Sequence, residues 1–486
     1  MNAMTRWPVE NVTADQWLAL GPRLAAGELV LVAHWAAADC VYAALYEQVS
    51  GATAIARLMT PDGRFPALGG FSKPARRLER AIRDRTGVLP EEMPDARPWL
   101  DHGRKLEMRD GIPVATAAEP YAFLPVEGEG LHQIPVGPVH AGIIEPGHFR
   151  FTCNGETVVR LEARLGYVHK GIEDLMAGAE LDTASKLAGR VSGDSTVAYA
   201  IAFAQAVEKA TGTAIPPRAV FLRAVMAELE RLANHAGDIG AVCNDAAFAL
   251  MLAHGAVLRE KVLRACDAAF GHRLMMDCVI PGGAARDLDA TARTALMALI
   301  DEAEPALAGL NRLYEDTASL QDRTVRSGVV LYAHAKEFGA GGFIGRACGR
   351  AFDARRALPY APYEEFDFDV PVLERGDVDA RIRIRFREAE ESLKLLRQLL
   401  VIFPEGPIAI PVARSDGIGA ALVEGFRGDI FAFVRMAAGG CVAECHLRDP
   451  SWFQWPLLES AVEGNIVADF PLCNKSFNCS YAGHDL

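Results

Sequence analysis

L-A-G-R-V-S-G-D-S-T-V-A-Y-A-I-A-F-A-Q-A-V-E, from Leu187 to Glu208, is the stretch from which the rest of the chain can be read. Small and polar residues around Arg190 and Gly193 lead into an apolar helix that closes on Gln205-Ala206-Val207-Glu208. Outward from it, helical periodicity dominates from Asp182 to Ala357. Leu222, Val225, Met226, Leu229 and Leu232 recur at three- and four-residue steps, which predicts a helix with one apolar stripe. Phe386, Ala389, Leu393, Leu396 and Leu400 predict a second long helix in the same way.

The 486 residues suggest more than one domain and allow a large core. Net charge is -13, from 50 basic and 63 acidic residues, which argues against nucleic acid as a partner. Trp7, Pro8 and Glu10 interrupt any early apolar run, so no signal peptide is expected. The nearest approach to a membrane span, Ala241 to Leu258, contains Asn244, Asp245 and His254. Ten cysteines without paired spacing fit a reducing cytoplasm.

Towards the N-terminus, Leu29 to Ala33 reads as a buried strand, and Ala37 to Gln48 as an apolar or weakly amphipathic helix. Asn154-Gly155, between alternating apolar flanks, signals a two-residue hairpin. His169 and Glu173 are four apart and are expected on one helical face, in a proton path or a structural hydrogen bond. Pro281-Gly282-Gly283 is a turn, and Gly341-Gly342 lacks the spacing of a phosphate loop. Cys441, Cys445 and His446 offer three metal ligands, but strand alternation turns His446 away from the cysteines.

Several motifs follow in a specific order. Gly137-Pro138-Val139-His140 comes first, then Glu145-Pro146-Gly147-His148-Phe149-Arg150-Phe151, then Gly166-Tyr167-Val168-His169-Lys170-Gly171-Ile172-Glu173. Glu228-Leu229-Glu230-Arg231-Leu232-Ala233-Asn234-His235, Asp322-Arg323-Thr324-Val325, and Tyr360 to Pro371 with its acidic aromatic pattern come next. Glu424-Gly425-Phe426-Arg427-Gly428 closes the series. In this order they resemble the large subunits of group 4, membrane-bound energy-converting NiFe hydrogenases and the 49-kDa-type subunit of respiratory complex I. Glu79 to Gly87, with Pro94, Arg97, Leu100 and Asp101, is similar to the end of the 30-kDa-type subunit.

The resemblance implies an α+β fold: a small α/β N-terminal domain over 1–115 and a large, mainly helical domain with flanking strands over 116–486. It also implies a metal site, R-x-C-G-x-C-x-x-x-H with D-P-C-x-x-C. This chain keeps Arg190 and Gly193 but has Ser192 and Ser195, with Tyr199 at the histidine; Asp449-Pro450 is followed by Ser451 and Gln454. Thiolates bind soft metals because they deprotonate readily and donate strongly, and a serine hydroxyl does neither. The expectation is therefore a large subunit of the energy-converting-hydrogenase-related or formate hydrogenlyase type with no NiFe centre and no cofactor of its own.

By the same resemblance, His140 and His148 are placed to donate to a quinone carbonyl, or to satisfy backbone groups at a strand end. No tyrosine occurs between 174 and 198, where complex I carries its other quinone partner; Tyr199, just beyond, is a stand-in. Glu228, Arg231, His235 and Asp369 complete the expected quinone or proton site. The implied partners are a hydrogenase-small-subunit-like protein holding a [4Fe–4S] cluster, antiporter-like membrane subunits, and a quinone or other electron acceptor. The implied location is peripheral, on the cytoplasmic face of the inner membrane. No NAD-binding fingerprint is present. A hydrogenase with unusual ligands and a non-catalytic scaffold are the alternatives.

Overall fold

The computed structural model describes residues 7–37, 39–103, 120–140 and 144–486, with the backbone of two short paired strands, Leu106–Arg109 and Ile112–Ala115. The expected boundary at 115 adjoins residues 116–119, and Ala141 to Ile143 of the loop after His140 fall likewise outside the described residues. The architecture is α+β, as expected.

Strands Val9–Val12, Leu29–Ala36, Cys40–Glu47 and Thr53–Met59 form the first sheet. Its spatial order is first, fourth, third, second; the first pair is parallel and the others antiparallel. The strand at Leu29 is where the sequence places it. The helix expected over Ala37 to Gln48 is instead the strand Cys40–Glu47, whose Leu45 pairs with Leu31 on one side and Ala54 on the other. Val41, Ala43 and Leu45 belong to the main core, with Leu78 and Ile82 of helix Lys73–Thr86. Tyr42 and Tyr46 face a second core with Phe431 and Phe433. A strand covered on both faces shows no apolar–polar alternation, so its period is hidden in the sequence.

That second core ties the N-terminal sheet to the last one. The Trp35 and Phe433 rings are 4.9 Å apart, and Arg448 Nε donates to the Val32 carbonyl at 2.7 Å. The two parts of the chain are joined by packing and not by the linker alone.

The Asn154-Gly155 hairpin joins His148–Asn154 to Thr157–Arg164, and Leu131–Val136 adds a third antiparallel strand. Helices Pro217–Asp245, Ala249–Phe270, Ala290–Asp316 and Val378–Val401 pack on one another as the helical centre. A Cβ on Gly255 would lie 2.7 Å from the Ala236 carbonyl, so glycine lets two of these helices touch backbone to backbone. No helix among the described residues is long and apolar enough to cross a membrane.

His169 and Glu173 do not share a helical face. The helix begins only at Ile172, after Gly171 in the left-handed region, and His169 lies in the loop before it. There His169 Nδ1 meets the Asp485 carbonyl at 2.6 Å, while Glu173 accepts from the Leu447 N–H at 2.8 Å and pairs with Arg85 and His446. Glu173 is a buried strut between N-terminal helix and C-terminal sheet.

Candidate functional site

Strands Gly417–Glu424, Asp429–Met436 and Val442–Arg448 form the last sheet, on which helix Thr196–Thr211 lies. Two features of this pairing build the site. The turn after Glu424 is closed by reciprocal backbone bonds between Gly425 and Gly428 (2.9 and 3.2 Å) and carries Arg427. The short 3₁₀ turn Gly193–Ser195, just before Thr196–Thr211, carries Asp194.

The Asp194 carboxylate and the Arg427 guanidinium meet in a fork, with Nη1 2.7 Å from Oδ1. Around this pair the fold gathers all four degenerate metal-ligand positions, each of them buried. Ser192 Oγ donates to Asp194 at 2.8 Å, and Ser195 Oγ accepts from Arg427 at 3.2 Å. Gln454 donates to the Arg427 carbonyl at 2.7 Å. Ser451 is linked through the tail: its Oγ accepts from the Ser480 N–H at 2.8 Å, and Ser480 Oγ is 3.0 Å from Ser192 Oγ. Ser451 and Gln454, three apart on helix Ser451–Val462, share a face. Burial works against charge on Asp194, but the Arg427 guanidinium outweighs it and holds the carboxyl below its usual range.

Tyr199, at the family's histidine position, is fully buried and donates to Asp449 Oδ2 at 2.6 Å. Burial, and then Asp449, push its hydroxyl far above the ordinary phenol range. It is a structural donor to a buried carboxylate. Tyr199→Phe is expected to cost about 1.5–3 kcal/mol, the loss of a hydrogen bond to a charged group, read by urea unfolding of the purified protein.

These residues do not fit a NiFe centre. Three hydroxyls and an amide replace the four thiolates, and the Asp194 carboxylate and Arg427 guanidinium bond to two of the hydroxyls, Ser192 and Ser195. Among the described residues no cluster of three or more His, Cys, Asp or Glu could hold a metal ion. The Cys441, Cys445 and His446 set is dispersed: Cys441 Sγ donates to Glu180, Cys445 is buried, and His446 pairs with Glu173.

A second network lies deeper. Glu228 and Arg231 bond to each other at 3.2 Å on helix Pro217–Asp245, and Glu228 also accepts from Arg355, Tyr363 and Ser392. His235 Nε2 is 2.9 Å from Glu388, which accepts from Arg346 at 2.7 Å; Arg346 reaches Glu424 at 2.9 Å. The structure thus brings Glu228, Arg231 and His235 into one region. Asp369 does not join them: it is exposed, and its backbone N–H donates to Glu391 at 2.9 Å.

His140 lies on the loop after Gly137, and His148 opens the strand His148–Asn154 at the far end of that loop. His140 Nε2 meets the Gly147 carbonyl at 2.8 Å and His148 Nδ1 the Gly137 carbonyl at 3.1 Å. Burial, then Arg150 and His140, outweigh that bond and lower the His148 pKa. The loop touches the tail that threads the first network, since Glu145 accepts from the Ala482 N–H at 3.1 Å.

Sequence reasoning missed Asp194, Arg427, Ser480, Arg346, Asp353, Arg355, Glu388 and Glu424. Arg427 and Glu424 were in view as a turn motif, and a charged residue at a core position such as Glu388 was the available signal for the rest.

A family model described as the 49-kDa subunit of respiratory-chain NADH dehydrogenase matches residues 245–416. The carbon monoxide-induced hydrogenase of Rhodospirillum rubrum is 32% identical over 350 residues, covering 71% of this chain and 97% of the relative. The chain belongs to the family of NiFe hydrogenase large subunits and complex I 49-kDa subunits. Within this family, formate hydrogenlyase subunit 5 of Escherichia coli (strain K12) is 28% identical over 424 residues, covering 84% of this chain and 74% of the relative. A chain of the membrane-bound sulfane sulfur reductase, an archaeal respiratory membrane complex, superposes with a TM-score of 0.70 at 26% identity, over 75% of this chain and all of that one.

Proposed function

We propose that this chain is the large subunit of a complex I-related, membrane-associated electron-transfer complex in which an ion-paired polar site stands where hydrogenases of the family hold nickel and iron. The observation that carries this is the gathering of Ser192, Ser195, Ser451 and Gln454 around the Arg427–Asp194 pair. The protein works as an oxidoreductase subunit only within its complex and has no hydrogenase activity of its own. A partner resembling the hydrogenase small subunit supplies electrons from a [4Fe–4S] cluster, antiporter-like membrane subunits couple the energy to ion movement, and a quinone or other carrier takes the electrons. The chain is peripheral, on the cytoplasmic face of the inner membrane, with residues 1–115 acting as a 30-kDa-type module.

Relatives named as hydrogenase, formate hydrogenlyase and NADH-quinone oxidoreductase subunits support the assignment to such a complex. In this reading His140 and His148 orient the acceptor's head group, and the Glu228, Arg231 and His235 region manages protons. The test is nickel and iron per chain in the complex purified with its native partners, together with quinone reduction. Iron from the partner's cluster without nickel is expected; stoichiometric nickel on this chain would overturn the proposal. A scaffold reading is favoured by one observation, that both histidines already bond to loop carbonyls. A complex that assembles but reduces no acceptor would establish it.

A further inference from the structure

The deep network holds more carboxylates than cations. Glu228, Asp353, Glu388 and Glu424 are joined to Arg231, Arg346 and Arg355, and each of these seven side chains is at most 3% exposed. Four carboxylates against three guanidiniums leave one negative charge. An uncompensated charge away from water is costly, and proteins meet that cost by binding a proton.

Two groups are placed to take it. Glu424 accepts from Arg346 at 2.9 Å and from the Ala354 N–H at 2.8 Å. Burial, and then the Asp353 carboxylate, raise its pKa against the pull of Arg346. His235 is the other: Nε2 faces Glu388, and Nδ1 is buried without a partner. Burial lowers its pKa, which favours the proton on Glu424.

Among the described residues no further guanidinium or ammonium comes within ion-pair distance of these four carboxylates; Arg350 acts on Glu424 from beyond that distance, easing the deficit without pairing it. Asp429 is paired with Arg448 and Arg385 with Asp238. Arg350 donates to the Ala340 carbonyl and lies over the Phe352 ring, with no ion-pair partner among the described residues. The Tyr360 hydroxyl accepts from the Glu424 N–H at 3.2 Å.

The cluster also has a door. A surface crevice bordered by Gln205, Ala227, Tyr360 and Tyr363 ends against it. The Tyr363 hydroxyl donates to Glu228 at 2.7 Å, and Ser392 donates to the other Glu228 oxygen at 2.7 Å.

We propose that this cluster is a proton-binding site: it carries one exchangeable proton per chain, shared between Glu424 and His235, and exchanges it with solvent through the crevice at Tyr360 and Tyr363. Glu424 opens the turn that carries Arg427, so negative charge arriving at the Asp194–Arg427 site tightens the hold on the proton. That use rests on the electron-transfer reading above; the bound proton does not.

The test is infrared spectroscopy of the purified complex in water and deuterium oxide across a pH series. Burial also raises the pKa of Glu230, which among the described residues accepts only from the Val197 and Ala198 N–H groups, so the wild type is expected to show two buried protonated carboxyl bands; the one assigned to Glu424 is shifted by deuterium, fades as pH rises and is the band followed below. Glu424→Gln should lose it, and His235→Gln should hold it to higher pH. Tyr363→Phe, which leaves the charges in place, should slow deuterium exchange of the band. Stability gives an independent reading. The folded pKa of Glu424 lies above the unfolded one, so its contribution is complete below the unfolded value and is lost as pH rises through the folded value. Wild-type stability should fall across that window, and Glu424→Gln should flatten the fall. A wild type without the band, or a band unchanged in Glu424→Gln, overturns the proposal; unchanged exchange in Tyr363→Phe overturns the entry route. A wild type that shows the band but reduces no acceptor supports the proton site while overturning the redox reading.

Discussion

Replacing Arg346 by alanine is expected to destabilise the protein by about 3–5 kcal/mol, the cost of removing one partner from a buried ion pair. The side chain is fully buried and bonds to Glu388, Glu424 and the Phe352 carbonyl, with Asp353 at 3.4 Å. Its loss strands two carboxylates away from water in a cluster already short of positive charge. Whole domains hold only about 5–15 kcal/mol of stability, so the variant should accumulate poorly and unfold at markedly lower urea. Lowering the pH should partly rescue it, because protonating Glu424 removes one stranded charge. A loss below about 1 kcal/mol, or no rescue at low pH, would mean that the network is not the tightly coupled unit described.

Gly342→Ala should be nearly as damaging, through the backbone. Gly342 has φ of +63°, and a Cβ there would lie 2.0 Å from the Arg427 carbonyl and 2.8 Å from Gly428 Cα. Both neighbours are backbone of the turn that aims Arg427 at Asp194, so nothing flexible can yield. Left-handed strain together with overpacking amounts to roughly 2–5 kcal/mol. Purified complex carrying the variant should melt earlier and lose electron transfer. Gly309→Ala is the control, since a Cβ at this mid-helix position meets nothing within 4 Å. Equal behaviour of the two variants would remove the argument.

The glycine result shows what motif reading misses. Gly341-Gly342 reads in sequence as a glycine-rich turn that is no phosphate loop. Its reason for being glycine lies some 85 residues along the chain, in the Arg427 turn. The strand Cys40–Glu47 makes the same point in the other direction. Its residues look helical or ambiguous because both faces are covered, one by the helix Lys73–Thr86 and one by a sheet near the other end of the chain.

By itself the sequence determined the Asn154-Gly155 hairpin and the long amphipathic helices, because period and turn chemistry are local properties of the chain, while the α+β class was legible through the family resemblance that its ordered motifs carry. It also determined that four metal-ligand positions carry hydroxyl and amide groups, since residue identity sets donor chemistry before any folding. Only the tertiary structure decided what surrounds them. The meeting of Asp194 with Arg427 spans 233 residues, Arg346 with Glu424 spans 78 and His235 with Glu388 spans 153. The same folding placed Asp369 outside and separated His169 from Glu173. Pairings at such separations are set by which faces the core buries, and the charge balance of a buried cluster exists only once the chain has closed around it.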